Sequence, residues 1–203
     1  MKLWIQNNKL NILVDGSHPY AAEVTKNAIE CSKELNIKYV RYERLGALEQ
    51  ISCDNIIRVK DYDEAIEYIK TLNGNVLNTT GGNNVTKFIN IDFNYRVIHR
   101  ILPSPSVLSK IVDAGIKIID IIAIQGPITY DLEKAFIKQF DVKAILTKDS
   151  GVQGGVLDKF KAAKDSNIKI IVIEKTKFDY ELEFNDEESL VDFLVVHENF
   201  TQR

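Results

Sequence analysis

Short apolar runs alternate with longer segments of helical composition along almost the whole chain, and this alternation restricts the fold more than any other feature. The runs at residues 10–14 and 144–147 are continuously apolar or β-branched rather than alternating with polar residues. A continuous run is typical of a strand that is buried on both faces of a parallel sheet. The segments between the runs, such as residues 20–35, repeat apolar residues at helical spacing. The sequence therefore predicts an α/β fold with parallel sheets.

The same pattern gives the order of the elements. The predicted strands are residues 10–14, 37–42, 56–59, 76–78, 95–101, 118–124, 144–147 and 169–174, with a short one at 182–184. The predicted helices are residues 20–35, 62–72, 84–88, 106–114, 129–140, 156–165 and 186–197, with the end of a helix within 1–9. The Asn73-Gly74-Asn75 break predicts a boundary between an N-terminal lobe, residues 1–73, and a C-terminal lobe, residues 74–203.

Composition excludes several classes of protein. The 203 residues are 45% hydrophobic with a net charge of −3 and carry no basic block, so no nucleic-acid partner is expected. No apolar run approaches the ~18 residues that a membrane span needs, and the N-terminus has no apolar signal-peptide core. Cys31 and Cys53 lack metal-ligand spacing and are interpreted as reduced thiols. These features predict a cytoplasmic protein with no metal site.

Residues 144–155, AILTKDSGVQGG, combine a short strand, a small polar loop and the start of a helix. Such a layout turns backbone N–H groups outward at a helix N-terminus, which favours an anionic ligand. Glycines allow a close approach to the backbone, and Lys148 can add a full positive charge. The alternative is an ordinary strand–helix loop in which Ser and Gly serve turn geometry.

Three further polar loops follow predicted strands in the same way. The four loops lie at residues 15–19, 79–82, 125–127 and 148–155. Ligands of open parallel sheets bind outside the carboxyl ends of strands, so a crevice between two sheets could gather all four loops. Neither GxGxxG nor the GxxxxGK[ST] phosphate loop is present, and GxSxG and HExxH are also missing. Hydrolase chemistry therefore has little support.

Each candidate residue also has a structural interpretation. His18 could be a helix-start residue satisfied by the backbone, and the 79–82 loop could be a simple turn. The 125–127 loop could only end a strand, and Arg41 and Arg44 could lie in solvent. His99 and His197 have no partner at a functional spacing and are assigned no role.

The loops together match a known set of motifs. DGSHPYA, YVRYER, LNTTGG, RILPSP, AIQGP and LTKDSGVQGG occur in that order. This series resembles the precorrin-6A reductase family, including its cobalt-precorrin-6A branch. The resemblance implies two Rossmann-like lobes with cofactor and substrate in the cleft between them. It also implies NADPH-dependent reduction of a double bond in a corrin-precursor tetrapyrrole, from (cobalt-)precorrin-6A to (cobalt-)precorrin-6B, in cobalamin biosynthesis.

The resemblance also suggests roles for individual residues. The cofactor-binding candidates are Thr80, Gly81, Gly82, Gln125, Gly126, Pro127, Ser150, Gly151, Gly154 and Gly155. The substrate-binding candidates are His18, Tyr20, Arg41, Arg44, Arg100 and Lys148, because the substrate bears many carboxylates. His18 and Lys148 are in addition the candidates for a catalytic role.

One departure from the family pattern concerns the N-terminus. Family members begin with a strand and a G-G-T loop some tens of residues before the Asp-x-x-His-Pro motif, whereas fourteen residues precede Asp15 here. The resemblance therefore implies an incomplete first lobe, whose open sheet edge would favour self-association.

Two alternatives to a reductase remain: a non-catalytic module of the same fold that binds tetrapyrrole or nucleotide, and a generic α/β nucleotide binder.

Overall fold

A computed structural model describes residues 1–151 and 154–201 of the chain. The strands are β1 (Ile12–Asp15), β2 (Lys38–Tyr42), β3 (Ile56–Val59), β4 (Asn75–Asn78), β5 (Val97–Ile101), β6 (Ile121–Ala123), β7 (Val142–Lys148), β8 (Lys169–Ile173) and β9 (Glu183–Phe184). The α-helices are α1 (Lys2–Asn7), α2 (Ala22–Leu35), α3 (Tyr62–Lys70), α4 (Pro105–Asp113), α5 (Tyr130–Gln139), α6 (Val156–Asp165) and α7 (Glu187–Thr201). Short 3-10 helices occupy Gly82–Phe88 and Ile118–Asp120. The α/β class with parallel sheets is confirmed.

The chain forms two compact units that differ from the predicted lobes. The first unit contains Met1–Leu45 and Thr176–Arg203, and the second contains Gly46–Lys175. The chain therefore passes between the two units twice, after Leu45 and after Lys175, whereas the sequence predicted a single division between residues 73 and 74. The reason is strand pairing, because β3 pairs with β8 inside the second unit and β9 returns to pair with β2.

The first unit is built on a three-stranded parallel sheet in the order β1-β2-β9. Helix α2 connects β1 to β2 and buries Thr25, Ala28, Cys31 and Ser32 on one face. It ends at Asn36, whose left-handed backbone (φ 51°) is a conformation that asparagine tolerates better than most residues. One strand–helix–strand unit thus brings the 15–19 loop to the carboxyl end of β1.

The second unit contains a six-stranded parallel sheet in the order β3-β8-β7-β4-β5-β6. From β4 the chain moves outward to β5 and β6 on one side, and from β7 it moves outward to β8 on the other. The strand order therefore reverses between β4 and β7. In doubly wound sheets this reversal opens a crevice at the carboxyl ends of the two strands, and ligands bind there.

Strand β7 lies at the centre of the core of the second unit. Ile145 packs on one face of the sheet with Leu77 and Ile170, and Leu146 packs on the other face with Ile171. All five side chains are fully buried. The continuous apolar run at residues 144–147 is explained by this burial on both faces. Within the described part of the chain, no helix has the length and apolar character needed to cross a membrane.

Candidate functional site

The loops that follow β4 and β7 lie side by side at the point where the strand order reverses. Thr79 joins them, since its backbone N–H and its hydroxyl both donate to the carbonyl oxygen of Leu146, at 2.8 and 2.9 Å. Thr80 and Lys148 therefore leave adjacent strands at the same edge of the sheet. The sequence predicted both loops separately, and the structure brings them together.

The 79–82 loop is held open by a buried asparagine. The side-chain oxygen of Asn78 accepts hydrogen bonds from the backbone N–H and the hydroxyl of Thr80, at 3.0 and 2.8 Å. Its amide nitrogen donates to Nδ1 of His99 at 3.1 Å. Burial lowers the pKa of His99 to about 4, so this histidine is neutral at physiological pH. Gly81 then turns with φ 89°, and no atom lies within 4 Å of the position that a Cβ would occupy.

The loop after β7 is anchored by the carboxylate of Asp149. This buried side chain accepts hydrogen bonds from the backbone N–H groups of Ala47 (2.9 Å), Leu48 (2.7 Å) and Gly151 (3.3 Å). A Cβ on Gly46 would lie 2.5 Å from Oδ2 of Asp149, so the backbone of residues 46–48 approaches the carboxylate as closely as glycine permits. The Asp149 carboxylate thus fixes the conformation of the loop and its contact with residues 46–48.

Glycines let the remaining loop residues meet at the start of α6. A Cβ on Gly154 would lie 2.1 Å from the hydroxyl oxygen of Ser150. Gly155 has φ 67°, and its Cβ position lies 3.2 Å from Cβ of Pro127, which places the 125–127 loop against the start of this helix. Three of the four predicted loops therefore belong to one region of the second unit, while the 15–19 loop belongs to the first unit. Residues 152–153 of the motif lie outside the described residues.

Lys148 gives this region a positive charge in partly desolvated surroundings. Its ammonium lies 5.6 Å from the ring centroid of Tyr62, and the ammonium of Lys87 lies at the same distance from that ring. Burial lowers the pKa of Lys148. Two cations beside a glycine turn and a helix N-terminus form a region of positive potential that suits phosphate or carboxylate groups.

Arg100 is held within the second unit by a buried carboxylate. Its Nη1 and Nη2 atoms each donate to one carboxylate oxygen of Glu133, both at 2.8 Å. Glu133 is completely buried. This two-fold contact joins β5 to α5, so the arginine that the sequence suggested for substrate carboxylates already has its charge balanced by a protein carboxylate.

Arg41, in the first unit, is likewise held by protein carboxylates. Its side chain is 1% exposed, with Nη1 3.0 Å from Oδ1 of Asp15 and Nε 2.7 Å from Oε2 of Glu43. It also donates to the hydroxyl of Ser17 at 3.2 Å. We therefore expect Arg41 to fix the 15–19 loop rather than to reach a ligand. Arg44 follows it and is partly exposed.

Asp15 is the second centre of this network. Burial disfavours its charge, but hydrogen bonds from Ser17 and from Tyr39 outweigh burial, and the pKa of Asp15 is lowered. The Tyr39 hydroxyl donates to Oδ2 of Asp15 at 2.8 Å, and burial together with this contact raises the pKa of Tyr39. The ring of Tyr180 stacks on Tyr39 with centroids 6.2 Å apart. A residue from the returning C-terminal segment thus covers the network.

His18 is exposed at the end of the 15–19 loop. Its Nδ1 accepts a hydrogen bond from the backbone N–H of Tyr20 at 3.2 Å, and the two rings lie 6.0 Å apart. Because Nδ1 accepts, the proton of the neutral ring lies on Nε2. The Nε2–H group is therefore the hydrogen-bond donor of the His18 ring.

A concavity of about 510 Å³ lies elsewhere in the second unit. It is lined by residues of α5 and of the start of β7, among them Lys138, Asp141 and Lys143. This is the amino-terminal end of β7, opposite to the edge that carries the loops. Ligands of doubly wound sheets bind outside the carboxyl ends, so we assign it no role.

Several buried polar and charged residues of the two units were not singled out from the sequence. They are Asp15, Asn78, Glu133, Asp149 and Lys159, all buried. A usable signal was present for two of them, because Glu133 lies one helical turn before the buried Ile137, and Lys159 lies one turn before the buried Ala162 and Ala163. A charged residue on the apolar face of a helix indicates a buried partner.

Comparison with known proteins gives consistent results. The family described as precorrin-6x reductase CbiJ/CobK matches residues 1–195. The cobalt-precorrin-6A reductase of Methanocaldococcus jannaschii is 39% identical over 195 residues, which cover 96% of this chain and 76% of that protein. The protein of the same name from Priestia megaterium is 35% identical, with 95% and 76% covered. A solved structure described as CobK precorrin-6A reductase matches with a TM-score of 0.75 over 97% of this chain and 77% of its own, at 17% identity, and supports the fold.

Proposed function

The chain belongs to the precorrin-6x reductase family, and from that premise we propose that it is an NADPH-dependent reductase that converts cobalt-precorrin-6A to cobalt-precorrin-6B in cobalamin biosynthesis. Membership of the family makes the protein an oxidoreductase. The choice of the cobalt-containing substrate is supported by the names of the relatives at 39% and 35% identity.

The observation that carries this proposal is the meeting of the two glycine-bearing loops and Lys148 where the strand order reverses. The open space at Gly81 lets a flat or charged group approach the backbone, and the partly buried ammonium of Lys148 attracts a phosphate. These features fit a nicotinamide dinucleotide, which supplies the hydride when it is bound. The protein contributes position and charge: Asn78 holds the 79–82 loop open, and Asp149 holds the loop that follows β7.

The carboxylates of the tetrapyrrole need a different set of partners. We propose the exposed His18 for them, together with Tyr20, two residues later, and the partly exposed Arg44 of the same unit. Arg41 supports the 15–19 loop of the first unit, and Arg100 supports β5 and α5 of the second, since protein carboxylates already hold both guanidinium groups. The bidentate pair of Arg100 with Glu133 fixes β5 against α5.

Reduction of a carbon–carbon double bond adds a hydride to one carbon and a proton to the other end of the conjugated system. We propose His18 as the group that gives this proton from its imidazolium form: uptake of a proton at Nδ1 replaces the hydrogen bond from Tyr20, and loss of the Nε2 proton then leaves the neutral ring. A histidine that gives up its proton is recharged from solvent, to which His18 is exposed. NADP⁺ and the protonated, reduced macrocycle are then the products, so atoms and electrons balance.

Anaerobic turnover of cobalt-precorrin-6A, followed by the loss of NADPH absorbance, tests the proposal. We expect NADPH to be oxidised only when protein and tetrapyrrole are both present, and NADH to be a poorer donor. A chain that binds the tetrapyrrole tightly but never oxidises NADPH would instead be a binding module of the same fold. The same assay with His18→Gln, which keeps a hydrogen-bonding side chain without an ionisable ring, separates proton donation from binding.

A further inference from the structure

Lys159, on α6, is a lysine with 5% exposure and no part in the site as described so far. Its ammonium donates a hydrogen bond to the hydroxyl oxygen of Thr147 at 3.0 Å. The same hydroxyl donates to the backbone carbonyl of Lys148 at 3.3 Å. A continuous chain of hydrogen bonds therefore runs from the buried ammonium to Lys148, the last residue of β7 before the loop.

The charged groups that act on Lys159 come from three other elements. They are Arg100 on β5, Glu133 on α5 and Asp149 after β7. With Lys159 protonated, the four groups carry two positive and two negative charges. Without that proton, the four groups carry a net charge of −1, in surroundings where charge is poorly screened.

We propose that Lys159 is a positioning residue for this loop: its ammonium balances the buried carboxylate of Asp149 and so keeps the loop in the form that accepts an anionic group. Asp149 in turn holds the backbone N–H groups of Leu48 and Gly151. The identity of the anion, a phosphate of NADPH or a carboxylate of the tetrapyrrole, rests on the proposed function. The positioning of the loop by Lys159 does not.

The proposal has a consequence for pH. Burial, followed by repulsion from Arg100, lowers the pKa of Lys159 to about 8, while Glu133 and Asp149 act in the opposite direction. Lys159 is therefore charged below about pH 8 and becomes neutral above it. Anion affinity should be complete near pH 7 and should decline as the pH rises through 8, well below the ordinary lysine pKa of about 10.4.

The backbone amide resonances of Leu48 and Gly151, followed by NMR from pH 6.5 to 10, test the positioning directly and need no ligand. In the unsubstituted chain we expect both resonances to shift with a midpoint near pH 8. In Lys159→Met that midpoint should vanish, and the spectrum at pH 7 should resemble that of the unsubstituted chain at pH 10. Lys164→Met, an exposed lysine on the same helix, is the matched control and should keep the midpoint. Resonances that do not shift, or a midpoint that persists in Lys159→Met, would overturn the proposal.

A second measurement identifies the anion. Dissociation constants are determined for NADP⁺, which carries phosphates, and for coproporphyrin III, which carries carboxylates and no phosphate. The ligand that uses the loop should bind Lys159→Met roughly three- to tenfold more weakly than Lys164→Met at pH 7, as expected for one charge at the loop, and equally at pH 9.5. Equal binding of both ligands by the two variants at pH 7 would contradict the role of Lys159. If neither ligand binds the unsubstituted chain, the proposed function fails, and the amide titration alone decides the role of Lys159.

Discussion

Replacing Asp149 by alanine should detach the backbone of residues 46–48 from the loop that follows β7. The carboxylate accepts hydrogen bonds from the N–H groups of Ala47, Leu48 and Gly151. Alanine leaves these donors without their acceptor, and a buried donor that loses its partner keeps the whole cost of its desolvation. The loop should lose its shape and the second unit should lose stability.

The size of the effect follows from the geometry. The bonds from Ala47 and Leu48 are shorter than 3.0 Å and end on a charged acceptor, so each contributes about 1.5–3 kcal/mol, while the longer bond from Gly151 contributes less. Partial solvation of the opened loop reduces the sum. We expect Asp149→Ala to lower the free energy of unfolding by roughly 3–4 kcal/mol. Asp149→Asn keeps one acceptor oxygen and should lose about half as much.

Urea unfolding followed by far-ultraviolet circular dichroism measures the loss of stability, and hydrogen exchange of the Leu48 amide reports the local contact. Asp54→Ala, at an exposed turn of the same unit, is the matched control and should change the free energy of unfolding by less than about 0.5 kcal/mol. If Asp149→Ala were no more destabilising than Asp54→Ala, or if Leu48 exchanged at its original rate, the carboxylate would not hold the loop.

Three further substitutions give independent tests. Lys148→Ala should weaken NADPH binding roughly ten- to hundredfold in a fluorescence titration while the melting temperature stays close to that of Lys164→Ala, and an unchanged affinity would remove Lys148 from the site. Gly154→Ala should lower the thermal midpoint, because its Cβ would lie 2.1 Å from the Ser150 hydroxyl oxygen, and adding Ser150→Gly should restore much of the loss; a double variant no better than the single one would refute this clash. Because the pKa of His99 is lowered to about 4, the unfolded chain binds a proton between about pH 6.5 and 4 that the folded chain does not. Urea unfolding should therefore show the free energy of unfolding falling by up to about 3 kcal/mol as the pH drops from about 6.5 to 4. His99→Gln should lose this pH dependence, and a variant that kept it would contradict the account.

Local patterns were enough to predict most of the fold. Strand β7 was predictable because a run buried on both faces must be apolar throughout. Strand β6 shows the limit of the same rule. The apolar run begins at Ile118, but Ile118–Asp120 forms a 3-10 turn with Ile118 72% exposed, and the strand starts at Ile121. Apolar composition alone does not distinguish a strand from an exposed turn beside it.

The pairing of strands could not be predicted from local sequence patterns. The backbone N–H of Arg41 donates to the carbonyl of Leu182 at 2.9 Å, and that of Glu43 donates to Phe184 at 2.8 Å, so a two-residue strand near the C-terminus joins the N-terminal sheet. So short a strand carries almost no periodic signal, and its partner lies far away in the sequence. The domain division predicted from the sequence differs from the observed units for this reason.

The loops of the candidate site were predictable, but the supports beneath them were not. Gly81 and Gly155 could be recognised because their positions after strands suggest turns. Glu133 and Lys159 have the composition of solvated helix residues, and only their phase relative to neighbouring apolar residues shows that they are buried. Arg100 could be proposed as a ligand group because the sequence does not show that Glu133 already binds it.

Transfer of deuterium from NADPH that carries deuterium at both C4 positions of the nicotinamide tests the central claim most directly. The chain is incubated with cobalt-precorrin-6A under anaerobic conditions, and the tetrapyrrole is analysed by mass spectrometry. The account predicts a reduced product that carries one deuterium from the cofactor and that is not formed when either the protein or NADPH is omitted. No product, or a reduced product without deuterium from NADPH, would contradict the assignment of this chain as an NADPH-dependent reductase.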